Sequence, residues 1–265
     1  MTAYRNIGVE LEHHVATVEI RRPPYNFFDH VLIREIADAF DELDANDQCR
    51  AIVLAAEGQC FCAGANFGSG DDDDGDEGFS EEGFRTVTKI LYQEAVRLFR
   101  CHKPIVGAIH GPAIGGGLGV ALVPDFRVTC PEARFAANFS KLGIHPGFGL
   151  TITLPALVGQ QAANLMFYTS RRIKGEEAFR MGLADELTHQ SKVRGKAREL
   201  AAEIASNAPL AVVSVRTTMR TGLADRISEQ LERELKEQQR LRATEDAAEG
   251  IRAVAERRAG DFIGR

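Results

Sequence analysis

Residues 103–150 read KPIVGAIHGPAIGGGLGVALVPDFRVTCPEARFAANFSKLGIHPGFGL. An apolar run of strand length, 104–109, leads through Gly115, Gly116 and Gly117 into a short apolar segment, 118–123, whose pattern predicts a buried helix. Glycines at such a junction let a ligand approach the main chain, while a helix start offers unpaired N–H groups and a positive dipole end. The natural guest is a developing negative charge. A dinucleotide fingerprint is excluded, because the sixth position counted from Gly115 is Val120, and no phosphate loop ending in Gly-Lys-Ser/Thr occurs. Two readings stay open: an oxyanion site of backbone amides, or glycines that only let a helix pack closely on a strand.

Upstream, residues 9–20 alternate loosely around Glu12, His13 and His14 and predict a β-hairpin, stopped by Arg21, Arg22, Pro23 and Pro24. Asp29 is placed to cap a helix with apolar Leu32, Ile36, Phe40 and Leu43. Residues 51–56 predict a buried strand, so strand, helix and strand follow as in crossover units. Residues 58–67, GQCFCAGANF, carry small side chains where a ligand can touch the main chain. The acidic stretch 68–83 reads as a solvated loop, without the spacing of a calcium-binding hand. Phe84, Val87, Leu91, Val96 and Phe99 mark the next helix. Beyond Leu150 short helical pieces predominate, ending in three helices over 210–222, 227–241 and 244–258. The organisation predicted is an α/β core, 1–200, and a helical C-terminal region, 201–265.

With 265 residues, 44% hydrophobic and 26% charged, the chain has the composition of an ordinary globular protein. A net charge of −6 with scattered basic residues argues against nucleic-acid binding. No apolar run reaches membrane-spanning length, and MTAYRNIGVE shows no signal-peptide pattern, so a cytoplasmic location is expected. Five cysteines without Cys-x-x-Cys spacing suit reduced thiols, and no metal site is expected.

Taken together, FCAGAN at 61–66, KPIVGAIHGPAIGGGLG at 103–119, LGIHPGFG at 142–149 and TEDAAEGIRAVAERR at 244–258 resemble the crotonase superfamily, the enoyl-CoA hydratase/isomerase family. The resemblance implies a spiral of β-β-α turns, a C-terminal helical trimerisation region, and a homotrimer or dimer of trimers. It implies an acyl-CoA thioester as substrate, with coenzyme A entering only as part of that substrate and no other cofactor. By motif position, the backbone N–H groups of Ala65 and Gly116 would polarise the thioester carbonyl. Arg22, Ala63, Asn66, Gly115, Gly119 and Phe139 are the remaining candidate substrate-binding positions.

The two glutamates that hydratases of the family use correspond to Gly119 and Phe139, and a dehalogenase aspartate would correspond to Gly147. Hydration by a paired acid and base is therefore not expected. His145 is the one titratable side chain in the LGIHPG loop, read either as a base near neutral pH or as a hydrogen-bonding partner of its own loop. Asp125 and His110 read as structural, and Asn66 as a loop-shaping residue. Arg22 meets a CoA phosphate or is one of an exposed basic pair. Left open is whether a carboxylate far along the chain, such as Glu94 or one in the acidic stretch, folds over the site to replace the two that are missing. The function expected is enolate or tetrahedral chemistry on an acyl-CoA thioester; the alternative is a silent acyl-CoA-binding protein.

Overall fold

The computed structural model describes residues 3–66 and 81–265. The acidic stretch lies outside the described residues up to position 80, and positions 81–83 open a helix rather than close a loop. Among the described residues there are ten α-helices and nine strands.

The hairpin forms between β1 (Ile7–Glu12) and β2 (Val15–Ile20), antiparallel, with Ile7 opposite Ile20. Every residue of β2 and of β3 (Ala51–Ala56) is buried, as their apolar runs predict for strands covered on both faces. β2 pairs with β3 in parallel, β3 with β4 (Ile105–Ile109), β4 with β6 (Phe126–Thr129), and β6 with β9 (Glu186–Leu187). Parallel neighbours need crossovers, supplied by α1 (His30–Asp44) and α2 (Glu81–Arg100). Asp29 caps α1, accepting from Leu32 N at 2.8 Å, and Leu32, Ile36, Phe40 and Leu43 are buried as their spacing predicts.

A second sheet holds β5 (Ala113–Ile114), β7 (Arg134–Ala136) and β8 (Ile173–Lys174). Cys62 joins it through a bridge to Ala113. After the opening hairpin and α1, three successive passes from β3 lay a strand in the large sheet, an extended piece in the small one and then a helical segment. That is the β-β-α spiral. Strands of two to four residues carry too little periodicity to be seen in the sequence, which is why β5, β6 and β7 were not predicted.

The helices that follow are α3 (Gly116–Ala121), α4 (Leu150–Val158), α5 (Gln160–Thr169), α6 (Gly175–Arg180), α7 (Val193–Ala205), α8 (Pro209–Met219), α9 (Leu223–Arg242) and α10 (Glu245–Ala255). The C-terminal region does not stand apart from the core: α9 packs on α2 and α4, and α10 on the 3-10 turn Asn138–Leu142. Among the described residues no helix is long and apolar enough to cross a membrane.

Asp125 has the structural role expected of it. Its carboxylate accepts from Ile105 N at 2.8 Å, from Arg216 at 2.7 Å and from Arg220 at 2.7 Å, tying α8 to the start of β4. Removing it leaves two largely buried guanidinium groups without their anion. Asp125→Ala is expected to cost about 3–5 kcal/mol of unfolding free energy, and chemical denaturation showing less than about 1 kcal/mol would contradict this account.

Candidate active site

The site is built where two main-chain segments touch. Gly117 has no room for a side chain, because a Cβ there would sit 2.1 Å from Cys62 O. Gly64, at φ +86°, is pressed the same way: its Cβ would fall 2.7 Å from Ile114 O and 3.6 Å from Gly116 N. Hydrogen bonds from Cys62 N to Pro112 O (3.1 Å) and from Ile114 N to Cys62 O (3.0 Å) hold the segments together, and Phe28 N closes the turn on Gly64 O at 3.0 Å. The sequence placed a ligand-accessible main chain at each of these segments separately; the fold brings them side by side.

The result is a cavity of about 450 Å³ whose wall includes Ala63, Ala65, Asn66, Gly115, Gly116 and Phe139. The N–H groups of Ala65 and Gly116 have no acceptor among the described residues, whereas the neighbouring Gly115 N–H is used by Ala136 O at 2.8 Å. Gly116 opens α3, where an amide has no intrahelical partner. With only six residues α3 supplies a small dipole, so the individual N–H groups carry the polarity of this wall.

Three positions at which the family resemblance implies carboxylates are occupied otherwise. A Cβ on Gly119 would lie 2.7 Å from Phe148 Cβ, so the Phe148 ring fills that space and Gly119 is not in the wall. Phe139 places its own ring at the cavity. A Cβ on Gly147 would lie 2.2 Å from the Tyr92 hydroxyl and 2.6 Å from Gln238 Nε2. Phe148 adopts a left-handed backbone at φ 61°, a strained conformation for a bulky residue, and its ring packs on Phe28 at 5.6 Å. Phe28 in turn touches Gly116, whose Cβ would meet its Cζ at 2.4 Å. An aromatic wall therefore runs from the Gly116 amide to the turn at Gly147.

The other sequence candidates lie elsewhere. His145 is not in the cavity wall, and its Nδ1 sits 2.7 Å from Pro146 O. Arg22 also lies outside the wall, its guanidinium committed to Asp29 (2.7 Å), Asn6 Oδ1 (2.9 Å) and Phe27 O (3.2 Å). Glu94 pairs with Arg34 at 3.0 Å and Arg97 at 2.6 Å; burial works to raise its carboxyl, but these hydrogen bonds outweigh it and hold the group below the usual carboxylate range. His110 bonds Gly58 O at 3.0 Å. Burial pushes the Cys62 thiol up to about 12, which leaves it protonated at neutral pH. Among the described residues no Asp, Glu, His, Lys or Cys contributes to the wall.

Sequence reasoning missed a polar part of the wall that comes from α2 and α9, Thr88, Tyr92, Gln238 and Arg242, and it also missed Asn138 and Arg172, which line the cavity as well. Tyr92 donates to Gln238 Oε1 at 3.0 Å, and Gln238 Nε2 donates to His145 O at 3.0 Å. Burial, with the charge of Glu234 adding to it, pushes the Tyr92 phenol upward, so it stays a neutral donor. Glu234 itself is fully buried behind the site. It accepts from Gly149 N at 2.9 Å, Thr151 N at 3.2 Å and Thr151 Oγ1 at 2.5 Å, fixing the turn that carries Phe148. The signal available in the sequence was α9 itself, where Glu234 and Gln238 keep the spacing of the buried Ile227 and Leu231.

Two outcomes follow from this packing. Gly119→Ala should displace Phe148 and destabilise the fold by about 1–3 kcal/mol; an unchanged denaturation midpoint would show that the notch is not filled. Burial raises the Glu234 carboxyl from 4.5 to about 7, against the hydrogen bonds from Thr151 and Gly149. The fold thus favours its protonated form, a contribution complete below pH 4.5 and lost as pH rises to about 7. Relative to Glu234→Gln, wild type should lose thermal stability across that window and hold a constant gap above it. A gap independent of pH would contradict the assignment.

The sequence profile of the enoyl-CoA hydratase/isomerase family matches residues 10–265. Among curated proteins, the chain is 31% identical over 255 residues to the short-chain-enoyl-CoA hydratase of Clostridium acetobutylicum, covering 96% of this chain and 95% of that one. It is 32% identical over 257 residues to the carnitinyl-CoA dehydratase of Proteus mirabilis, covering 95% of each. Among solved structures, an enoyl-CoA hydratase/isomerase from Pseudoalteromonas atlantica superposes with a TM-score of 0.85 at 28% identity, over 98% of this chain and 100% of that one. Profile, relatives and architecture agree over the whole length, and the chain belongs to the enoyl-CoA hydratase/isomerase family, the crotonase superfamily.

Proposed function

We propose that the chain binds an acyl-CoA thioester with its carbonyl oxygen between the N–H groups of Ala65 and Gly116, and turns it over through an enolate or tetrahedral intermediate. One observation carries the reading: two backbone donors in one cavity wall, on segments that touch at Gly64 and Gly117, neither with an acceptor among the described residues. Donors fixed in place stabilise an oxyanion without reorganising as charge develops, and losing one such donor costs on the order of 3 kcal/mol in other enzymes. The names of the relatives, a hydratase and a dehydratase of CoA esters, support the substrate class.

Simple hydration of a 2-enoyl thioester is not the reaction we propose. It needs an acid and a base at the double bond, and Phe148, Phe139 and the Tyr92–Gln238 pair stand where the resemblance implies carboxylates. Lyase, isomerase and thioester-hydrolase chemistry all pass through the same stabilised oxyanion. The reading does not depend on His145, whose ring is held at Pro146 O. The dry aromatic surface of Phe139 favours one second reading, a silent acyl-CoA-binding protein.

No cofactor beyond the coenzyme A of the substrate belongs to the proposal. A cytoplasmic location and assembly as a homotrimer or dimer of trimers do. Five buried, unpaired thiols support the first, and exposed Leu210, Val215 and Met219 on α8 support an interface.

Titration of the purified chain with butyryl-CoA should show binding. Incubation with crotonyl-CoA should leave the conjugated thioester absorbance decaying at least about a hundredfold more slowly than with a hydratase carrying both glutamates, the scale of general acid–base catalysis. Fast hydration would overturn the exclusion, and absence of binding would overturn the thioester reading.

A further inference from the structure

Helices α2 and α9 lie against each other, and each contributes two polar residues to the cavity at a spacing of four: Thr88 and Tyr92 from α2, Gln238 and Arg242 from α9. That spacing places both members of a pair on one face of their helix. It is an inward face, since Thr88, Tyr92 and Gln238 are all buried, and Leu91 beside them also lines the cavity. Polar groups in such a position cost stability unless a partner satisfies them.

The partners inside the protein are only some of those the groups can take. Tyr92 spends its proton on Gln238 Oε1, and Gln238 spends one N–H on His145 O. A glutamine amide has a second N–H to donate, and Tyr92, its own proton spent on the Oε1, holds that amide in orientation. Gly147, also in the wall, leaves this pair its space: any Cβ there would collide with both the hydroxyl and the amide nitrogen. Arg242 adds a cation at any working pH, one that an anionic or strongly accepting ligand group can meet at the cavity wall. The patch is reached from the Gly116 amide along Phe28, Phe148 and Gly147, so one ligand can span the oxyanion donors and the polar patch.

We propose that the Thr88 hydroxyl, the second Gln238 N–H and the Arg242 guanidinium, with Tyr92 holding the Gln238 amide in place, recognise an oxygen on the acyl group, so that the substrate is an acyl-CoA thioester whose acyl chain carries a second oxygen acceptor, an oxo or carboxylate group. The inference rests on the thioester reading above and narrows it. A plain hydrocarbon chain laid over these groups would strip them of water and return no hydrogen bond. Sites built to bond a polar group discriminate strongly against the analogue lacking it, whereas apolar walls discriminate weakly between chains.

The test is calorimetric titration of the full chain with butyryl-CoA, acetoacetyl-CoA and succinyl-CoA, which share the coenzyme A moiety and differ in acyl oxygen. At least one oxygenated ester should bind about tenfold or more tightly than butyryl-CoA. Preference for acetoacetyl-CoA assigns an oxo group, and preference for succinyl-CoA a carboxylate. In Tyr92→Phe and in Gln238→Met, two shape-conserving variants, the ratio of affinities should fall towards one, and Arg242→Met should lower it most for succinyl-CoA. A global loss of structure would weaken all three esters together without changing their ratio. Equal affinities in wild type, or a ratio that survives both Tyr92→Phe and Gln238→Met, overturns the inference while leaving the thioester reading intact. Failure of all three esters to bind overturns the thioester reading and the inference with it.

Discussion

The contact on which the site depends is between two stretches of main chain, Cys62 to Gly64 and Ile114 to Gly117. Nothing larger than hydrogen fits on Gly117 or Gly64, because carbonyl oxygens occupy the space a Cβ would need. This closeness lets Cys62 pair with both Pro112 and Ile114, brings Ala65 beside Gly116, and joins the end of the second β-β-α turn to the middle of the third. Side chains reach a ligand through rotatable bonds, whereas these amides are fixed by the fold itself. A site of this kind is precise to the extent that its glycines stay glycines.

Around that contact the wall is dry. The rings of Phe28, Phe139 and Phe148 surround the glycine segment, and a buried aromatic surface admits little competing water. Hydrogen bonds are stronger in such surroundings than in a polar cleft, so the rings that fill these positions also strengthen what the Ala65 and Gly116 amides can offer an acceptor. Holding Phe148 in this position requires a left-handed backbone, a local cost of about 1–3 kcal/mol. Glu234 offsets it by accepting from Gly149 and Thr151, and the ring by its burial.

Much of this was legible in the sequence, for reasons that can be named. Hydrophobic periodicity marked α1 and α2, the runs at 51–56 and 104–109 marked buried strands, and the glycine triplet pointed to the main-chain site. Ala65 and Gly116 needed the family resemblance to be chosen within their segments. The strands β5, β6 and β7 were invisible because two to four residues hold no period. His145 and Arg22 were plausible by type, but side-chain direction is set by packing: one bonds Pro146 and the other Asp29. That Phe148 fills the notch at Gly119 could not be read locally, since 29 positions of chain separate residues that touch.

The polar patch was hidden for a different reason. Most residues of α9 are polar or charged, and so polar a helix shows little sign of a buried stripe in its sequence. Its buried stripe is Ile227, Leu231, Glu234 and Gln238, apolar at one end and polar at the other. A stripe that keeps its spacing while changing its chemistry is one that crosses from a core into a site. On that criterion the C-terminal helices are part of the cavity: Gln238 and Arg242 of α9, with Ile251 and Val254 of α10, line it beside residues of the spiral. Glu234 sits where the two roles of α9 meet, fixing the Phe148 turn with its carboxylate and acting on Tyr92 with its charge. The cavity wall therefore draws on residues from both sides of position 200, a position that itself falls within α7.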